Sequence, residues 1–157
     1  ITLTDHTGAR VTEADYAGEP VLVFFGFTYC PDVCPFTLYK IDQAFDFLPD
    51  EMNPPKTIII SIDPERDTPE LLATFVTNEG FPSDLVGLTG TPEEIKATAA
   101  EFFAAYSRIE DPSSTAGYTM DHSSLIYLMD EKWNLKTFFT HEATPEAIGS
   151  CLATHLS

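Results

Sequence analysis

Two cysteines separated by three residues, Cys30 and Cys34 in Thr28-Tyr29-Cys30-Pro31-Asp32-Val33-Cys34-Pro35, are the side chains of this sequence best suited to chemistry. Thiolates attack disulfides and bind soft metals, whereas thiols do neither well, so the elements that hold the pair decide its use. Upstream, Val21 to Phe27 is apolar without alternation, which predicts a strand covered on both faces in the middle of a sheet. Downstream, Leu38, Ile41, Phe45 and Leu48 form a helical stripe that Pro49 closes. The cysteines therefore lie between a central strand and a helix N-terminus, whose free N–H groups and positive dipole end favour the thiolate. Four-residue spacing on a helical or near-helical path sets their Cβ atoms about 6 Å apart on one face, within reach of a shared metal or a disulfide. Pro31, Asp32 and Pro35 make the setting turn-like, which argues against a pair that merely packs. Asp32 reads first as a turn former, although its charge between the cysteines opposes the dipole.

The elements that must position this pair come from the rest of the chain. With 157 residues and 43% hydrophobic content, residues 1–157 are expected to form one domain with a sizeable core. Twenty-five acidic against eight basic residues give a net charge of −17, which opposes binding to nucleic acid or anionic lipid. Such a surface is chiefly a solvated one, and it also suits the steering of cations or a basic partner. No apolar run of membrane-spanning length is present, and residue 1 is Ile, as expected of a processed or truncated soluble portion.

In chain order, Thr2 to Thr4 and a segment around Val11 read as a hairpin turning at Asp5 to Gly8. Thr57 to Ile62 is a second continuous apolar strand, ending at Asp63-Pro64, which implies a crossover helix between parallel strands. Thr-Pro-Glu occurs at 68–70, 91–93 and 144–146, each time ahead of a helical pattern. Thr caps, Pro fits the first helical position and Glu complements the dipole, predicting helices over 69–79, 92–104 and 145–156. A short strand is expected over 85–88, a surface loop over 110–118, and a hairpin of 124–129 with 135–139. This order predicts an α/β thioredoxin-like sandwich: a central mixed β-sheet flanked by helices, preceded by an N-terminal β-hairpin.

In such a layout the loop before the strand of 124–129 shares a sheet rim with the cysteine turn, so His122 can approach Cys30 and Cys34. Two thiolates and an imidazole make a soft three-coordinate set, suited to Cu(I), or to Zn(II) with a fourth ligand. Asp63 ends a central strand on the same rim, where it either tunes the site from outside the ligand shell or shapes the turn with Pro64 and Arg66. Cys151 falls with Ile148, Leu152 and Leu156 on the stripe of the last helix and reads as packing. His6, His141 and His155 have no partners at ligand spacing and read as surface residues.

Four motifs in this order, Phe25-Gly26-Phe27-Thr28-Tyr29-Cys30-Pro31-Asp32-Val33-Cys34-Pro35, Asp63-Pro64-Glu65-Arg66-Asp67-Thr68-Pro69, Gly87-Leu88-Thr89-Gly90-Thr91 and Tyr118-Thr119-Met120-Asp121-His122-Ser123, closely resemble those of the Sco/SenC copper chaperones. The resemblance runs over essentially the whole chain. It implies copper, as Cu(I), Cu(II) or both, on Cys30, Cys34 and His122, with Asp63 near the site. It further implies delivery to, or preparation of, the dinuclear copper site of cytochrome c oxidase subunit II or a similar acceptor, with another copper chaperone as a conceivable donor. An N-terminal membrane anchor outside this sequence and the periplasmic face of a bacterial inner membrane are expected, with the mitochondrial intermembrane space as the alternative.

A thiol–disulfide oxidoreductase using Cys30 and Cys34 is the competing reading. Against it, redox pairs usually have two intervening residues, and Asp121-His122-Ser123 stands where thioredoxins carry a proline. A peroxiredoxin-like enzyme fits worse, because Thr28 precedes Cys30 by two residues rather than three.

Overall fold

Thr2–Asp5 (β1) and Arg10–Thr12 (β2) pair antiparallel as the expected hairpin, with Gly8 at φ +91° in the turn. The Asp5 carboxylate closes that turn by accepting from the Thr7 and Ala9 N–H groups. The structure, a computed structural model, describes residues 1–28, 33–102, 104, 106–110, 118–122, 125–140 and 142–156; for 33, 34, 106–110 and 118–122 only the backbone is described.

Every residue of Val21–Gly26 (β3) is buried, as an unbroken apolar run requires. Val33–Phe45 (α1) follows, starting ahead of the Leu38 stripe and ending before Pro49. Leu38, Ile41 and Ala44 are fully buried on its inner face. Lys56–Ser61 (β4) lies parallel to β3, paired from Val21↔Lys56 to Gly26↔Ser61. Pro69–Phe75 (α2) and Pro92–Glu101 (α3) flank Val86–Thr89 (β5), which is parallel to β4. Both helices start where Thr-Pro-Glu places them: Thr68 Oγ1 accepts from the Leu71 N–H, and Thr91 with Glu94 forms a full capping box. Each stops three or four residues short of the predicted end.

Tyr106–Glu110 (β6) and Tyr118–His122 (β7) form an antiparallel two-stranded ribbon. This corrects the reading of 110–118 as loop at both of its ends, while residues 111–117 lie outside the described residues. Tyr106–Glu110 has no alternation, and the four-residue alternation of Tyr118-Thr119-Met120-Asp121 is short and follows directly on a run of turn formers. Ile126–Met129 (β8) and Leu135–Phe139 (β9) make the last hairpin, and Pro145–Leu156 (α4) closes the chain, its Thr144 hydroxyl accepting from the Ala147 N–H.

The main sheet has the order β2-β1-β5-β4-β3-β8-β9, with β3, β4 and β5 parallel and the other pairings antiparallel. It is the mixed sheet flanked by helices that the chain order predicts. β3 sits inside it, between β4 and β8. Phe25, Phe102, Tyr127 and Trp133 pack edge-on beside β3, with neighbouring ring centroids 5.1 to 6.3 Å apart. Among the described residues no helix is long and apolar enough to cross a membrane.

Candidate metal centre

Parallel pairing sends β3 and β4 out of the sheet at the same rim. The Gly26 carbonyl at the end of β3 accepts from the Ile62 N–H just past β4 at 2.9 Å. β8 runs the other way, so its first residue, Ile126, lies opposite Phe24 near that same exit. The rim outside the carboxyl ends of parallel strands is where open α/β sheets place ligands. Cys30 follows the β3 exit by four residues, Asp63 follows the β4 exit by two, and His122 precedes β8 by four.

The described part of the rim is a buried polar network. Asp67, with no exposed surface, accepts from the Thr28 N–H at 3.0 Å, from the Thr28 hydroxyl, and from the Ser61 hydroxyl at 2.6 Å. Ser61 Oγ in turn accepts from the Asp63 N–H at 3.1 Å. Asp63, 3% exposed, pairs with the Arg66 guanidinium, whose Nε donates to Oδ2. The Asp63 carbonyl accepts from the Arg66 and Asp67 N–H groups, which winds residues 63–67 into a tight turn. Burial pushes the Asp67 carboxyl above its ordinary range, and the neighbouring Asp63 charge adds to this, while the hydrogen bonds from Ser61 and Thr28 pull it back.

The predicted site residues distribute as follows. Cys30 lies outside the described residues. Cys34 is in the first turn of α1, where the free N–H groups and the positive dipole end are, as the sequence reading required. His122 is the last residue of β7, opposite Tyr106. The side chains of Cys34 and His122 are outside the description, and among the described residues no group of three or more His, Cys, Asp or Glu could hold a metal ion. Asp63 is on the expected rim and in the expected turn with Arg66. Cys151 is half-buried and packs against the core. His6 accepts from the Gly87 N–H on Nδ1 at 3.2 Å, so it ties the first hairpin to β5; His155 sits in the last turn of α4, and His141 lies outside the described residues.

Asp67, Thr28 and Ser61 carry no role in the sequence reading. The one local signal is a second carboxylate four residues after Asp63 at the end of a buried strand; its partner Thr28, 39 residues away, is not local at all.

With Cys34 at the start of α1 and the carboxylate rim in place, comparison with known proteins decides the family. The model of the SCO1/SenC family matches residues 2–157. The chain belongs to the SCO1/SenC family. Protein SenC of Rhodobacter capsulatus is 39% identical over 155 residues, covering 99% of this chain and 68% of its own length. The human mitochondrial SCO1 homolog is also 39% identical, over 160 residues, covering 99% of this chain and 51% of its own length. This chain thus spans about two thirds of the one relative and half of the other. Among solved structures, Arabidopsis thaliana ScoI with copper bound has a TM-score of 0.91 at 34% identity, covering 98% of this chain and 94% of that one. Bradyrhizobium japonicum ScoI with copper bound has a TM-score of 0.83 at 37% identity, covering 99% and 96%. The SCO1/SenC sheet is the thioredoxin-like sandwich expected from the element order.

Proposed function

We propose that this SCO1/SenC chain is a copper metallochaperone that binds the metal through Cys30, Cys34 and His122. The observation that carries the reading is that the Cys-x3-Cys sequence lies between buried β3 and the N-terminus of α1, in a chain similar over nearly its full length to copper-bound relatives. Two thiolates and one imidazole suit Cu(I), and the helix terminus helps keep the thiols ionised for binding. Asp63, which lies on the same rim and pairs with Arg66, would tune the site from outside the ligand shell. A three-coordinate ion leaves room for a ligand of the acceptor to bind before one of the chaperone leaves, so transfer needs no covalent catalysis. The acceptor we propose is the dinuclear copper site of cytochrome c oxidase subunit II or a similar protein, with another copper chaperone as donor. We place the chain at the periplasmic face of a bacterial inner membrane, or in the mitochondrial intermembrane space, held by an anchor outside this sequence.

A second reading, thiol–disulfide exchange on a partner's cysteines, is favoured by similarity to BsSco. That Sco-family cytochrome c oxidase assembly protein, in which a disulfide switch is identified, has a TM-score of 0.71 at 26% identity over 100% of this chain. Oxidation of Cys30 and Cys34 to a disulfide would remove both thiolates, so redox state would gate copper loading.

The test is anaerobic titration of the reduced protein with Cu(I), repeated on His122→Ala and on the double variant Cys30→Ala/Cys34→Ala. Stoichiometric binding that the double variant loses and His122→Ala weakens supports the chaperone. A protein that binds no copper tightly yet turns over a disulfide substrate is an oxidoreductase instead.

A further inference from the structure

We propose that Asp67 is a positioning residue for the cysteine turn: by holding both the backbone and the hydroxyl of Thr28, its carboxylate sets the path on which Cys30 and Cys34 meet a metal. The inference rests on the copper-site reading of Cys30, Cys34 and His122.

Burying a carboxylate is costly unless hydrogen bonds replace its lost water, and Asp67 has no exposed surface. All three donors to it come from the exits of the two central strands: the Thr28 N–H and hydroxyl after β3, and the Ser61 hydroxyl at the end of β4. Starting α2 is not its task, because Thr68 already caps that helix. Instead the side chain reaches back to Thr28, two residues before Cys30. Through Ser61, whose oxygen accepts from the Asp63 N–H, the same carboxylate also fixes the backbone of Asp63. One buried group thus links the chain's exit from β3 at Thr28 to the placement of the rim carboxylate. A turn released from it must be ordered at the moment of metal binding, and that ordering lowers affinity.

An amide can take over these bonds. Its oxygen accepts from the Thr28 N–H and the Ser61 hydroxyl, while its NH2 donates to Thr28 Oγ1 once that hydroxyl turns round. Asp67→Ala removes every contact, and Thr28→Val, at a half-buried position, removes only the hydroxyl bond.

Each variant is measured well below its own melting temperature, with far-UV circular dichroism as the check on folding. Cu(I) affinity is read by chelator competition, and the thiol–disulfide equilibrium of the metal-free protein is read against glutathione. Asp67→Ala is expected to weaken Cu(I) binding about tenfold, the low end for groups outside the ligand shell. It should also displace the metal-free equilibrium about tenfold, or about 30 mV for the two-electron couple. Asp67→Asn should recover most of both losses, and Thr28→Val should show part of them in an intact fold. The inference is overturned if Asp67→Ala and Thr28→Val lower the melting temperature yet leave both equilibria at their wild-type values. If Asp67→Ala does not fold, Thr28→Val decides alone. If the wild type itself binds no Cu(I), the chaperone reading falls, and the metal-free equilibrium by itself upholds or overturns the role of Asp67.

Discussion

Replacing Gly149 with Ala should destabilise the fold, although the substitution improves the helix that contains it. Gly149 is buried in the middle of α4, where α4 crosses α1. A Cβ built there lies 2.6 Å from the Ala44 carbonyl oxygen and 2.6 Å from Phe47 Cβ. Comfortable carbon contacts begin near ~3.5 Å, so the helices must part by roughly 0.5–1 Å. A gap of that size forfeits about a quarter to a half of the dispersion energy across the contact. Ile148 and Leu152, both fully buried, flank it on α4, which makes the expected loss about 1–3 kcal/mol, the usual range for overpacking. Ala is better than Gly inside a helix by about 1 kcal/mol, which offsets only part of this. The net effect is about 1 kcal/mol of destabilisation, or roughly 2–4 °C in melting temperature for a chain of this size. Urea denaturation at equilibrium measures it. Ala44 is ten residues from Cys34, about 15 Å along α1, so Cu(I) affinity should stay unchanged and the variant serves as a stability-only control for the rim substitutions. A variant more stable than wild type would refute the close approach of α1 and α4.

Three further outcomes can be checked. Burial raises the Asp67 carboxyl above its ordinary 3.8, so the folded chain holds this proton more tightly than the unfolded one; its contribution to stability is present at low pH and lost as pH rises through the raised value. Asp67→Asn removes that titration, so the stability of the variant minus that of wild type should climb from about pH 4 upward and then level off; a difference in urea midpoints that is flat or falling over this range contradicts the burial. Thr91→Ala deletes one half of the capping box at α3 and should cost about 1 kcal/mol by urea denaturation, with Thr91→Ser retaining most of it. Cys151→Ser should leave copper stoichiometry in native mass spectrometry unchanged, since Cys151 packs on α4 against the core; loss of bound copper would place that sulfur in a metal site.

Much of this protein is legible from the sequence because the relevant physics is local. Unbroken apolar runs identify β3 and β4, since a strand buried on both faces tolerates no alternation. Thr-Pro-Glu marks three helix starts, because a cap, a ring without an N–H and a favourable charge act within one turn. The placement of Cys34 at a helix N-terminus follows from the same local rules. Helix ends were less legible: α2 and α3 stop short of the Gly and loop signals that follow them, as frayed last turns do. Tertiary structure alone decided the rest. The ribbon of β6 and β7 joins two flanks of which Tyr106–Glu110 has no strand pattern of its own and Tyr118–His122 only a four-residue alternation. The joining of the N-terminal hairpin to β5, through Thr4↔Thr89, links residues 85 positions apart that share no local signal. Above all, Asp67 looks in sequence like one more carboxylate in an acidic chain. Only the parallel pairing of β3 and β4 carries Thr28 and Ser61 to it, because burial, not spacing, determines which distant donors a carboxylate must find.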